Sequence, residues 1–251
     1  LDNKIELNNK INNNLEELAQ TLYKHWFVDF EFPNEEGLPY KSSGGKMVES
    51  ELGLIPSKFK VTTIEDNAET VLGGTPRRKN VDYWGRGYSW INSGALNQLR
   101  ILEGTEEITQ LGLDNSAAKM MPRGTTLIGI TGYVGIVSML EIDSSANQSV
   151  VGIIPNENLP KSYLYSMIKN EAPIISLKQT GSAQQHINKN DINTHKFIKP
   201  NRRLIYKYEK TVCHINEMIY KNLIESNKLE KLRDILLPKL MSGEIRVPIK
   251  E

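Results

Sequence analysis

The 251 residues suffice for one large domain, or for a smaller one with helical appendages, and a hydrophobic content of 39% supports a real core. Thirty-one basic and thirty acidic side chains leave a net charge of +1, so any hold on a polyanion has to come from local clustering of cations. The single cysteine, Cys213, excludes an internal disulfide framework, the four histidines show no zinc spacing, and no apolar run is long enough for a membrane span or a signal segment.

Residues 1–32 set Leu1, Ile5, Leu15, Ala19, Leu22 and Trp26 at the alternating spacing of a helix-pairing seam, with Asn8 and Asn12 also at seam positions. One long helix is predicted, ended by Pro33; its start without a cap or a Met is that expected of a chain beginning partway along a helix. Residues 33–49, rich in Gly, Pro and Ser, read as a linker. Over 50–200 the texture changes to short apolar runs, among them Thr126–Ile130, Gly135–Leu140 and Ser149–Ile154, which predict strands. One helix is expected near Lys161–Lys169 from the spacing of Tyr163, Leu164, Met167 and Ile168. The helical period returns over 201–245 through Ile205, Val212, Ile215, Ile219, Leu223, Leu229, Leu232, Leu236 and Leu240, closed by Pro238 and Gly243.

The two helical segments repeat one another. Superposing Ile219 on Ile5 brings Leu229-Glu230-Lys231-Leu232 onto Leu15-Glu16-Glu17-Leu18 and Leu236 onto Leu22. Amphipathic helices align at a few leucines by chance, so the repeat gains its weight from placement at opposite ends of a mixed domain. Neither helix buries its stripe alone. The expected fold is α+β: a mixed, β-rich domain flanked by two long helices that form coiled-coil-type pairs through Ile5, Leu15, Leu22, Ile219, Leu229 and Leu236.

Polar candidates concentrate in the middle region. Behind the Gly73-Gly74 turn stand Thr75, Pro76 and three consecutive cations, Arg77, Arg78 and Lys79, which read either as a solvated basic loop or as contacts to phosphate. In Trp90-Ile91-Asn92-Ser93-Gly94 the Trp reads as core and Ser93 as the candidate contact. Gln179, Thr180, Ser182, Gln184, Gln185 and Asn188 crowd amides and hydroxyls around Gly181, a composition suited to bidentate readout of adenine and equally to a polar surface loop. Tyr133 follows the turn residue Gly132 and either reaches outward or packs. Gly44-Gly45-Lys46 is followed by Met47, so it is no phosphate-binding loop, and no methyltransferase-type catalytic tetrapeptide is present.

The order of these elements resembles the target-recognition domain of the specificity subunits of type I restriction-modification enzymes. The resemblance is carried by Gly53–Pro56, Gly73–Pro76, Tyr83-Trp84-Gly85, Trp90–Gly94, Thr131–Gly135, Asn147–Val150, Ile154-Pro155 and Gly181–Asn188. Residues 1–33 look like the central conserved region of such a subunit and residues 229–247 like the distal one. Ala95 stands where an acidic residue is common, and Pro200-Asn201-Arg202-Arg203-Leu204 departs from the usual start of the helical region. A full subunit has two recognition domains; this chain has one.

The resemblance implies a non-catalytic protein without cofactor or metal, organised as a central conserved helix (1–32), a linker (33–49), a DNA target-recognition domain (50–200) and a distal conserved helix (201–245). It implies double-stranded DNA and modification (methyltransferase) subunits as partners, and restriction subunits indirectly; the helical repeat separately suggests a homodimer through the helices, and the single cysteine and the lack of an apolar span suit a cytoplasmic location without membrane contact. Thr75, Arg77, Arg78, Lys79, Ser93, Tyr133, Gln179, Gln184 and Gln185 are the expected DNA contacts. The alternatives are the recognition segment of a single-chain restriction-modification enzyme, or a helical decoy protein that reads no DNA.

Overall fold

In chain order the elements are α1 (Asp2–Phe27), β1 (Met47–Ser50), β2 (Gly53–Pro56), β3 (Lys60–Thr63), β4 (Thr70–Leu72), β5 (Trp84–Ile91), β6 (Arg100–Ile101), β7 (Glu106–Ile108), α2 (Gln110–Asp114), β8 (Thr126–Gly129), β9 (Val137–Leu140), β10 (Ser145–Ala146), β11 (Val150–Ile153), α3 (Lys161–Ser176), α4 (Lys189–Asn193), β12 (Lys196–Lys199) and α5 (Arg202–Met241). This computed structural model describes residues 1–180 and 186–245. It divides into two compact units, one of Leu1–Ala19 with the chain from Cys213 on, the other Gln20–Val212.

The first unit is an antiparallel helix pair. Asp2 of α1 meets Arg233 of α5 at 3.1 Å, Asn8 donates to Ser226 at 3.2 Å and to Glu225 at 2.9 Å, and Asn222 donates to Asn12 at 2.9 Å, so positions on α5 fall as those on α1 rise. Ile5, Asn8, Asn12, Glu16 and Ala19 are buried on α1, and Asn216, Ile219 and Ser226 on α5. This is a helix-pairing seam in which polar residues occupy much of the buried stripe. Leu15, Leu229 and Leu236 are half-buried beside it, while Leu232, Ile235, Leu237, Leu240 and Met241 are exposed.

The second unit is built on a five-stranded sheet of order β4-β11-β8-β9-β6. All four residues of β8 and all four of β11 are buried, as strands covered on both faces require. One face carries a cluster of Val71, Ile91, Leu96, Ile101, Met121, Leu127, Leu140 and Val150. There the sheet meets a second, three-stranded sheet of order β10-β5-β7. The helix α3 packs against β8 and β9. Its first turn lacks a side-chain cap of its own, since Pro160 precedes it. Glu209 of α5 supplies the missing acceptor, taking the backbone N–H of Ser162 and of Tyr163, each at 2.9 Å. Tyr23, Trp26 and Phe27 of α1 pack on Tyr163 and Tyr208 with ring centroids 5.2 to 6.0 Å apart.

Four sequence expectations about local structure need correction. The first helix stops at Phe27, well before Pro33; Phe30 adopts a φ of 63°, which turns the chain away. The 33–49 segment does not stay free of regular structure: Met47 opens β1, and Pro33 bridges Pro39 while Phe32 stacks between Tyr40 and Phe59 at 4.5 and 5.2 Å. Both long helices of the second half tolerate a proline near their ends, α3 running past Lys169 through Pro173 to Ser176 and α5 through Pro238 to Met241. Each proline leaves the carbonyl four residues earlier without its helical donor, a loss the surrounding helix absorbs. Leu22, expected in the helix seam, is half-buried within the second unit. No helix among the described residues is long and apolar enough to cross a membrane.

Candidate nucleic-acid interface

The strand registers decide which loops meet. Leu72 pairs with Val151, Gly129 with Val150, Val137 with Ile128, and Arg100 with Met139. The end of β4, the start of β11, the end of β8, the start of β9 and the start of β6 therefore share one edge of the five-stranded sheet. Four loops well separated in sequence emerge there: 73–80, 92–99, 130–136 and 147–149. A fifth joins them, because Thr131 bridges His186 and the Ile187 N–H donates to the Ile130 carbonyl at 3.0 Å.

Close backbone contact fixes the first of these loops. The Gly74 N–H donates to the Ala146 carbonyl at 2.7 Å, and Trp90 Nε1 donates to the Gly74 carbonyl at 3.0 Å. A Cβ on Gly73 would lie 2.0 Å from the Asn147 carbonyl oxygen and one on Gly74 2.3 Å from Ala117, so neither position admits a side chain without moving backbone. Thr75 then sits half-buried at the sheet edge, its hydroxyl donating to Gln148 Oε1 at 2.5 Å. Ser93, half-buried, lies 3.5 Å from Asn147 Nδ2, in the turn that Asn92 caps. Tyr133 is 36% exposed on the 130–136 loop, and Gln179 follows the end of α3, whose Ser176 lies against Gly135. The topology thus brings Thr75, Ser93, Tyr133 and Gln179 to one edge. Gln184 and Gln185 lie outside the described residues.

The three cations differ from one another. Arg77 and Lys79 are exposed and make no ion pair among the described residues. Arg78 is engaged: its guanidinium forks onto Glu106 of β7 at 2.5 and 2.8 Å, and its Cζ stands 3.7 Å from the centroid of Trp84 and 4.9 Å from that of Trp90. The hydrogen-bonded fork holds the Glu106 carboxyl below its ordinary range and the Arg78 guanidinium above its own. Sequence reasoning also passed over Gln148. Its only signal was membership of the Asn147–Val150 run, since the contact that orients its amide comes from Thr75, far away in the chain.

A cleft of about 960 Å³ beside the 75–80 loop is lined by Glu103, Glu107 and Asp143 and by Glu106, the partner of Arg78. Its negative lining repels phosphate, so the polar sheet edge and not this cleft suits a nucleic acid. Among the described residues no group of His, Cys, Asp and Glu is placed to hold a metal ion.

A mixed sheet with four loops gathered at one end, in a chain that also carries a long antiparallel helix pair, is an architecture shared with a known family. The chain belongs to the type I restriction modification DNA specificity domain family, whose model matches residues 56–231. It is 27% identical to the HindI specificity subunit of Haemophilus influenzae over 98% of this chain and 65% of that protein. Similarity to the MjaIX specificity subunit of Methanocaldococcus jannaschii is 29% identity over 49% of this chain and 29% of the relative. The fold is shared with the HsdS subunit of Thermoanaerobacter tengcongensis, with a TM-score of 0.51 and 16% identity over 96% of this chain and 54% of that one. The chain thus spans two thirds or less of the length of these relatives.

Proposed function

We propose that this chain is the non-catalytic DNA-reading part of a type I specificity subunit, recognising one half of a bipartite duplex target. The observation that carries the reading is the convergence of the 73–80, 92–99, 130–136 and 147–149 loops, with their hydroxyl, amide and guanidinium groups, at one sheet edge. Phosphate contacts from Arg77 and Lys79 set register, and the amides and hydroxyls of Gln148, Gln179, Thr75 and Ser93 meet base edges. Methyl transfer and cleavage belong to separate subunits in this reading. Modification subunits dock on the outer faces of the helix pair, where Leu7, Leu18, Ile235 and Leu237 are between 49% and 61% exposed.

The test is selection from a random duplex library by this chain together with the modification subunit of its own system. The expected result is enrichment of a short motif; uniform recovery of all sequences overturns the reading and favours a decoy that occupies modification subunits. A repeated motif across a fixed gap identifies two copies acting together. Because α1 and α5 already partner one another within the chain, such a dimer either exchanges these helices or uses their outer faces.

A further inference from the structure

We infer that Arg78 is a positioning residue: its fork onto Glu106, held in the corner between Trp84 and Trp90, staples the 75–80 loop and presents Arg77 and Lys79 outward. The inference rests on the DNA-reading proposal above and goes beyond it by separating three adjacent cations that the sequence cannot rank. The two indoles stand edge to face, with centroids 5.1 Å apart and planes at 86°. A planar guanidinium fits such a corner, and an ammonium group in its place would lose both the stacking and the paired hydrogen bonds.

The staple is one of four fixings along the loop. Trp90 binds the Gly74 carbonyl before it, and after it the Asn80 side chain accepts the Asp82 N–H and starts a short 3-10 turn at Val81–Tyr83. Between them the Asn80 N–H donates to the Arg77 carbonyl at 3.0 Å, a turn with Arg78 and Lys79 at its centre. Arg78 thus points onto β7 of the three-stranded sheet. With both ends and the middle of the loop held, Arg77 and Lys79 lose little freedom when they meet a phosphate, and ordering cost is what an unfixed basic loop would add to binding.

Glu106 makes the inference testable because the two roles of Arg78 predict opposite signs. If Arg78 itself contacted DNA, removing Glu106 would free a cation and delete a repulsive charge, and binding would tighten. If Arg78 positions the loop, removing Glu106 weakens binding although the protein becomes more positive. The experiment titrates the full chain against a pool of random-sequence duplexes at several salt concentrations, after thermal melts establish that each variant is folded. Glu106→Ala and Arg78→Lys are each expected to weaken binding about fivefold or more, the loss that accompanies one displaced contact. Arg77→Ala and Lys79→Ala are each expected to flatten the slope of log affinity against log salt by about 0.9. Equal or tighter binding by Glu106→Ala overturns the positioning role.

Limited trypsin digestion reads the staple without DNA. Cleavage after Arg77 and Lys79 is expected to accelerate in Glu106→Ala, and an unchanged rate overturns the inference. If the wild-type chain shows no salt-dependent binding, the DNA-reading proposal fails, and the digestion alone still decides whether Arg78 holds the loop.

Discussion

Tyr23 and Tyr163 illustrate what burial does to a single side chain. Both phenols are held above their ordinary pKa, first by burial and then by neighbouring groups including Glu171 and Tyr208. A raised folded-state value means that their contribution to stability is complete below the unfolded pKa and lost as pH rises above it. The melting temperature is therefore expected to fall once the pH exceeds about 10, and Tyr163→Phe to flatten that alkaline limb; a limb of unchanged steepness in the variant would count against the assignment. At the same scale, Arg100 shows where sequence reasoning stops. An arginine reads as surface, yet its side chain is fully buried, 4.2 Å from the ring centre of Tyr165 and 4.0 Å from Glu141, which also binds Arg123 at 2.9 Å. The residues that desolvate and pair it come from β9, α3 and the loops around them, and no local pattern announces that meeting. Arg78 is the exposed counterpart: its two neighbouring cations are alike in sequence, and only Glu106, Trp84 and Trp90 set it apart.

Among the elements, the helix pair is instructive because its buried stripe is polar. Asn8, Asn12, Glu16, Asn216 and Ser226 occupy positions that leucine would fill in a seam selected for stability alone. Buried asparagines in such seams fix register and orientation at a cost in stability. The double variant Asn8→Leu/Asn12→Leu is expected to raise the melting temperature while loosening register. Spin labels at Leu7 and Lys228, with Cys213→Ser, would then give a broader distance distribution than in the parent; an unchanged narrow distribution shows that the asparagines do not set the register. The second elemental lesson is the cap of α3. Its sequence offers no capping residue, and the acceptor arrives from Glu209 on α5. Glu209→Ala is expected to cost about 1 kcal/mol in chemical denaturation, the usual cost of a lost helix cap.

For the whole molecule, the pairing of α1 with α5 inside one chain bears on assembly. At about 1.5 Å per residue the 40 residues of α5 extend roughly 60 Å, more than a turn of duplex DNA. Sedimentation of the chain alone is the direct check on self-association: a monomer over the micromolar range means that the internal pairing suffices, and a concentration-dependent dimer means that helices exchange or dock. The alternation of long helical periods with a strand-rich middle, the end-to-end repeat and the short Gly-, Asn- and Pro-flanked motifs were all legible from residue spacing, because helices and strands impose their periods on the chain directly. The class of protein followed from the order of those motifs. What spacing does not encode is which strands become neighbours. The registers of β4, β6, β8, β9 and β11 bring Thr75, Ser93, Tyr133 and Gln148 to one edge and aim Thr75 at Gln148, and the pairing of β5 with β7 sets Glu106 beside Trp90 where Arg78 meets them. Those contacts join residues far apart in the chain, so burial and long-range pairing chose them, and they exist only once the sheet has formed.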